Sequence, residues 1–518
     1  MTAVEVSPHS DVPEENRSRT LARKQIRGSS LLMVGKLLSV GAKLGAQVLV
    51  VRYLSTADYG AWAYALAAVA LLGGVAHLSL DRTVSRFASI YHEQGQLDRF
   101  FGTIALVLGT VLVTGMVFVA ALYASPDLFA RLIGGEAKPL ALLFVMIFLV
   151  PLEAIDTVLV SIFATFSRPR AIFVRNYLAA PAIQVGIVLL LIALQADVIF
   201  LAYGYLAGAL LGVLLSFWLL FQILREQGLL QQFSLRRITI PAREMFTFSF
   251  PLMTADWHSA LTQASGALVL GYFYGTEAVA FLRVVLPVAV LNQLVIRSFH
   301  MLYVPNASRL FAKGDLAGVN DLYWRTSLWI AVLTFPIFAV TFATATPLTT
   351  MLFGDRYEAS GLILAILAVG QYVQASFGFN GATLMVLGKV KFLVGINVGA
   401  TVASIVLTLL LVRPFGAIGA AIALSATMVI HNLLKQLGLR AAGGRLLDRR
   451  YAGAYRILVA AAVSLVLARV AGFSHVVVLA LAAVTASLVV LRFTRRALNI
   501  VEVFPEIGRV PLLRLLWT

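Results

Sequence analysis

The chain has 518 residues, of which 60% are hydrophobic and 13% charged, with a formal net charge of +17 and no cysteine. That balance leaves too little polar surface to clothe a water-soluble core, so its solvent is read as lipid; disulfides and thiolate metal sites are excluded. The positive charge does not indicate nucleic acid, because it lies between apolar runs and not on the surface of a soluble domain.

The opening stretch, MTAVEVSPHSDVPEENRSRT, is polar and carries acids. It lacks the layout of a secretory signal peptide, and residues 1–27 are read as a disordered cytosolic tail. Crossing a hydrocarbon core of about 30 Å takes about 20 mostly apolar residues. Such runs lie near 28–51, 57–80, 100–123, 138–163, 172–194, 198–222 and 245–271, and then near 277–302, 326–346, 360–386, 392–412, 415–437, 454–471 and 474–494. The runs are too long for barrel strands and lack period-two alternation. The expected fold is an all-α integral membrane protein of about 14 transmembrane helices.

With the amino terminus in the cytosol, most of the 41 Lys and Arg fall in loops and tails on the cytosolic side, as the positive-inside rule requires. Both termini are then cytosolic, and residues 124–137 and 347–359 are periplasmic. No loop is long enough for a soluble catalytic domain, and no metal-ligand spacing, nucleophile elbow or phosphate loop is present. Neither enzymatic activity nor a metal, cofactor or nucleic-acid partner is expected.

The second half echoes the first at a displacement of about 220 residues. YLSTADYGAW from Tyr53 matches YFYGTEAVAF from Tyr272, and ASIYHEQGQL from Ala88 matches ASRLFAKGDL from Ala307, with Gly95 on Gly314. FSRPRAIFVRN from Phe166 matches LGKVKFLVGIN from Leu387, which places Asn176 on Asn397. Six helices thus repeat once in the same orientation, as in carriers whose halves are related by an axis along the membrane normal. The expected organisation is a six-helix bundle over 28–222, a cytosolic linker over 223–244 and a second bundle over 245–437. A cytosolic loop with helices thirteen and fourteen follows over 438–494, then a cytosolic tail over 495–518. A central cavity between the bundles meets the physical requirement for alternating access.

The segments RYLSTADYG, LSLDRTVSRFASIY, HEQGQLDRF and FYGTEAVAF, with the helix count, resemble the polysaccharide transporter family of the multidrug/oligosaccharidyl-lipid/polysaccharide exporter superfamily. The resemblance covers nearly the whole chain. It implies a flippase for O-antigen or exopolysaccharide biosynthesis in a bacterial inner membrane. Such a protein moves an undecaprenyl-pyrophosphate-linked oligosaccharide from the cytosolic to the periplasmic leaflet. Its partners would be that lipid-linked oligosaccharide and membrane lipids, with polysaccharide polymerase machinery a candidate. Three alternatives stay open: a peptidoglycan-precursor flippase, a drug or cation antiporter of the same superfamily, and a membrane-embedded sugar polymerase or transferase. The short periplasmic loops disfavour the last.

An ionisable residue at the bilayer centre costs roughly 2.5–3.5 kcal/mol and normally faces a cavity or a partner. In the first span Ser29, Lys36, Ser39, Lys43 and Gln47 share one helical face. Lys36 and Lys43 are candidates for binding a pyrophosphate, against the alternative that their stems snorkel to the headgroups. The seventh span repeats the stripe with Ser249, Asp256, Ser259 and Gln263, so Lys36 and Asp256 form a candidate gating pair and Gln263 a candidate substrate contact. In the eighth span Arg283, Gln293, Arg297 and His300 are spaced for one face, the first three as binding candidates.

Glu153 and Asp156 lie three residues apart in the fourth span. Two carboxylates there repel if both are ionised, so they are candidates for proton coupling, against a hydrogen-bonded structural pair or an ion pair with a helix-one lysine. His77, His258 and His431 fall singly in spans and are read as packing residues. Without a nucleotide motif the driving force is an ion gradient or the membrane potential. A headgroup of charge near −2 moving outward gains roughly 4–5 kcal/mol at 100 mV.

Overall fold

The computed structural model describes residues 35–498 except 134, 167, 233, 235, 236, 446 and 472–474. Ser29, the tail expected at 1–27 and the part of the other tail beyond 498 lie outside them. All regular structure among the described residues is helical. Eleven continuous helical segments are long and apolar enough to cross a membrane.

The first helix, α1, runs over 35–53. It is followed by α2 (Thr56–Glu93), α3 (Leu97–Ala124), α4 (Ala137–Thr165), α5 (Arg170–Ala193) and α6 (Val198–Glu226). The trace Ala242–Arg283 turns back at Gly275, where φ is 79°. It therefore holds all of α7 (242–274) and the start of α8 (276–312). Next come α9 (Leu316–Ala343), a short helix Ala345–Phe353, and α10 (Ser360–Val386). The trace Val390–Ala441 has 52 residues, or about 78 Å at about 1.5 Å each, far more than one crossing requires. It too doubles back, at Gly416 with φ of 53° just after Pro414, into α11 (390–415) and α12 (417–441). Only glycine enters those two backbone regions without a steric penalty. The last helices are α13 (Arg449–Val470) and α14 (Val476–Leu498). Fourteen helices result, as the sequence implies. The side on which α1 begins is the near face below, and the opposite side is the far face.

Three boundaries differ from expectation by ten residues or more. Helix α8 continues to Ala312, past the span expected at 277–302, and α9 begins at Leu316, ahead of the span expected at 326–346. Where the hydropathy gives a second span over 57–80, α2 bends at Leu78 and Ser79, both at positive φ, and continues as an amphipathic helix to Glu93. Its inward face is Leu80, Val84, Ala88 and Tyr91, at helical spacing, while the polar opposite face lowers the hydropathy below that of a span.

The repeat is legible at its turns. Gly95 follows α2 with φ of 69° and Gly314 follows α8 with φ of 74°, so the two matched glycines close equivalent connections. The other two matches fall at the α1–α2 and α7–α8 turns and at the α4–α5 and α10–α11 turns.

The two halves meet along a seam between α2 and the α7–α8 hairpin. Small residues make this approach possible, since dispersion and not the hydrophobic effect drives helix packing in lipid. A Cβ on Gly60 would lie 2.2 Å from the Thr276 carbonyl oxygen, and one on Gly271 would lie 2.1 Å from the Tyr64 ring. At the near-face end Tyr91 donates a 2.9 Å hydrogen bond to Glu244. Gly60→Ala and Gly271→Ala are each expected to destabilise the purified protein by about 1–3 kcal/mol through overpacking, read as a lower thermal midpoint. Gly109→Ala, where nothing lies within 4 Å of the added carbon, should leave the midpoint in place.

Candidate functional site

Helix ends leave backbone carbonyls without intrahelical partners, and at the far face two arginines satisfy such groups across the halves. Arg52, at the end of α1, donates to the carbonyls of Met351 and Leu352, the latter at 2.9 Å. Arg356 returns the arrangement, donating to the carbonyls of Val51 and, at 2.9 Å, Leu54. Each guanidinium therefore caps the C-terminal end of a helix in the opposite half, where the helix dipole also favours positive charge. Beside them Glu136 accepts from the Thr276 amide at 3.0 Å and from its hydroxyl, and Lys138 pairs with Asp58. Beneath this layer Tyr357 packs edge-on against Tyr59 and Phe281. These contacts join the two halves at the far face.

Toward the near face the facing surfaces of α1 and α8 are open and cationic. Lys36 is half-buried, and Lys43, Arg297 and His300 are exposed. Arg297 is the charged neighbour of Lys36, and Arg175 that of Lys43. Gln293 accepts from Arg297 at 3.3 Å, and Gln263 donates to Ser259 at 2.8 Å. Cations at this depth repel one another unless an anion or water lies between them. Arg82 also reaches this region. It lies in the bent second half of α2, which the hydropathy pattern read as loop.

Several expected partnerships are rearranged. Asp256 pairs with Arg82 at 2.7 Å and accepts from the Ser79 hydroxyl, so in this conformation it is not the partner of Lys36. The reason is topological: α2 packs on α7 along its length, whereas α1, away from its far-face end, packs against α5 of its own half, with Ser39 reaching the Asn176 carbonyl. The single face expected from Arg283 to His300 does not exist either, because α8 unwinds at 284–285 and 290–291. Arg283 instead lies under the far-face seal beside Tyr59, its Nε without a hydrogen-bond partner.

Asp156 is held by Arg175 at 2.6 and 3.0 Å and accepts from Ser216 at 2.7 Å. Arg175 projects from a π-helical turn, Phe173–Ala179, inside α5. Gly212 makes room for it: a Cβ there would lie 2.3 Å from the guanidinium. The bidentate pair, with Ser216, ties α4, α5 and α6 together. Glu153 is exposed and makes no ion pair among the described residues, so the two carboxylates do not act on equal terms. Arg175→Ala would strand a carboxylate and is expected to cost about 3–5 kcal/mol, measured as lost thermal stability, with Asp156→Asn/Arg175→Gln restoring part of it.

Outside the two bundles, α13 and α14 pack on α9. Arg469 donates to the Phe342 carbonyl at 2.7 Å and Tyr455 to the Ser376 carbonyl at 2.9 Å. Asp448 caps α13, and hydrogen bonds from Arg450 hold its carboxyl below the usual range. Between α13 and α14 runs an apolar groove of about 700 Å³ lined by Ile457, Ala461, Leu465, Ala486 and Phe493 among others.

Nothing local marks the far-face arginines in the sequence, since their partners lie some three hundred positions away. If they hold the lumen shut, Arg52→Ala with Arg356→Ala should open that face. A cysteine placed at Gln47, just inside the seal, would then react several-fold faster with a bulky maleimide added on that side.

Fourteen helices with a repeated arrangement, joined across the halves at one face and cationic on α1 and α8 toward the other, have the architecture of a membrane carrier. A family described as polysaccharide biosynthesis protein matches residues 26–311, over half of the chain, and the chain belongs to that family. Solved structures share the fold. Lipid II flippase MurJ in an inward closed conformation aligns at a TM-score of 0.66 and 14% identity, covering 90% of this chain and 99% of that one. An inward-facing multidrug resistance MATE family transporter of the MOP superfamily aligns at 0.65 and 13%, covering 78% and 95%. An outward-facing one aligns at 0.54 and 13%, covering 82% and 96%. No curated protein sequence matches the chain. Family and fold place it among transporters and flippases.

Proposed function

We propose that this protein flips an undecaprenyl-pyrophosphate-linked oligosaccharide from the cytosolic to the periplasmic leaflet of a bacterial inner membrane, for polysaccharide biosynthesis. The near face is then cytosolic and the far face periplasmic, as the positive-inside distribution favours. The observation that supports the reading is a set of cations without carboxylate partners: Lys36 has Arg297 as its charged neighbour, Lys43 has Arg175, and none of Lys36, Lys43 and Arg297 makes an ion pair among the described residues. A pyrophosphate entering there supplies the missing countercharge. The apolar groove between α13 and α14 offers a surface to the isoprenoid tail, which has no reason to leave the hydrocarbon phase. Gln263 and Gln293 can donate to and accept from sugar hydroxyls.

The fold similarity to MurJ keeps a peptidoglycan-precursor flippase as a second reading with the same headgroup chemistry. Polymerase machinery of the same pathway is a natural recipient of the product.

The test is flipping in proteoliposomes with an undecaprenyl-pyrophosphate oligosaccharide on one leaflet and the peptidoglycan precursor in parallel. Lys36→Ala with Lys43→Ala should lower the initial rate by about tenfold or more, since a charge-assisted contact is worth about 1.5–3 kcal/mol. Full activity in the double variant would refute a binding role for both lysines, and transport of the precursor alone would select the second reading. Sidedness is tested with the cysteine-free chain itself. Asp127→Cys should react with an impermeant maleimide from outside intact cells, and Lys313→Cys only after permeabilisation.

A further inference from the structure

The helix that carries Asp256 toward α2 presents a second polar cluster on its other side. His258 follows Asp256 by two residues, about 200° around the helix, and is buried in the second half. Its Nδ1 lies 2.9 Å from the Thr401 hydroxyl on α11, with Thr262 at 3.5 Å. Its Nε2 lies 3.0 Å from Nδ1 of His431 on α12, and His431 Nε2 lies 3.0 Å from Oδ1 of Asn397 on α11. One chain of hydrogen bonds therefore joins α7, α11 and α12.

Counting protons along the chain shows what it accommodates. The Thr401 hydroxyl donates to the Asn397 carbonyl at 2.8 Å, which leaves its oxygen as an acceptor toward His258. Asn397 Oδ1 is an acceptor toward His431. With an acceptor at each end, the three contacts require three N–H protons, whereas two neutral imidazoles carry two. One additional proton completes the chain as an imidazole–imidazolium pair. Without it, the Thr401 or Thr262 hydroxyl turns to donate to His258 Nδ1 and the two imidazole N–H protons fill the other two contacts, so loading the pair switches the direction of these hydrogen bonds.

The charged and titratable groups around the pair are few. Lys435 lies one turn beyond His431 on α12, and its positive charge repels a further positive charge on either ring. On α7 itself Asp256 is committed to Arg82 of α2. His77 of α2 faces Asp256, and His300 of α8 faces Arg82. The α11 groups, Asn397 and Thr401, are uncharged. Lys435 makes the loaded state conditional: an anion reaching the lumen, or a shift of α12, changes the cost of the shared proton.

We propose that the His258–His431 pair is a proton-binding site of the transport cycle, filled from far-side water as α7 rejoins α11 and α12 and emptied to near-side water before they part again. This rests on the carrier reading above. The proton comes from water on one side of the membrane and is released to water on the other, with no covalent step. Because the loaded pair ties α7 to the second half while the far face is sealed, acid on the far side favours return of the empty carrier to its near-face-open state.

The test uses full-length protein in lipid bilayers with ¹⁵N-labelled histidine. A nitrogen correlation across the His258–His431 hydrogen bond is expected, with three of the four ring nitrogens protonated in acid and two in alkali. His258→Gln and His431→Gln should each abolish the correlation. In proteoliposomes at zero voltage, acid on the far-face side should accelerate wild-type flipping several-fold and neither variant, while both variants still respond to an imposed voltage, showing that they are folded. A ring-nitrogen count that does not change between acid and alkali, or pH-gradient stimulation that survives in both variants, would overturn the proposal. Should the wild type move no lipid-linked sugar, the functional reading fails while the nitrogen count still decides the proton site.

Discussion

A charge in the middle of a bilayer costs roughly 2.5–3.5 kcal/mol unless protein, water or a ligand compensates it, and the polar interior of this chain is organised by that cost. Where compensation is internal the result is rigid structure. Arg175 and Asp156 satisfy each other inside the first half, with Ser216 completing the acceptor set. Where internal compensation is missing, as at Lys36, Lys43 and Arg297, the chain leaves the surface open. The two kinds of site adjoin, Arg175 being the charged neighbour of Lys43, and the carrier reading depends on that contrast.

The same rule governs the surfaces that must part and rejoin. The far-face seal uses arginines against helix-end carbonyls, contacts that water can replace when the halves separate. A dry hydrophobic plug could not be exchanged for water without loss. The α2–α7 seam is different in kind, held by close backbone approach at Gly60 and Gly271 with the Asp256–Arg82 pair in its near-face half. Helix α7 lies between two polar attachments, one to each half of the molecule. A displacement of that helix therefore exchanges one set of hydrogen bonds for another, the kind of bistable element through which a ligand or a proton can bias a conformational equilibrium.

The bends serve this arrangement. The π-helical turn in α5 carries Arg175 inward, and the breaks in α8 separate Arg283, sealed beneath Tyr59, from Arg297 on the open side. A straight α8 would align all four polar residues on one face and thread cations from seal to opening. Unwinding at 284–285 and 290–291 divides the helix into a far-face part belonging to the seal and a near-face part belonging to the lumen.

The sequence by itself determined the helices, their number and the repeat, because crossing a membrane imposes a length and composition that are local and strong. It also marked Lys36 and Lys43, since a lysine inside an apolar run is anomalous wherever its partners are. It missed the amphipathic end of α2, whose polar face dilutes the hydropathy, and with it Arg82. The tertiary structure alone decided the partners: Asp256 with Arg82 and not Lys36, Asp156 with Arg175 and not Glu153, and His258 with His431, which looked like isolated packing residues. Those choices depend on which helices lie side by side and where each one bends, and hydropathy, being a property of single segments, carries no information about either.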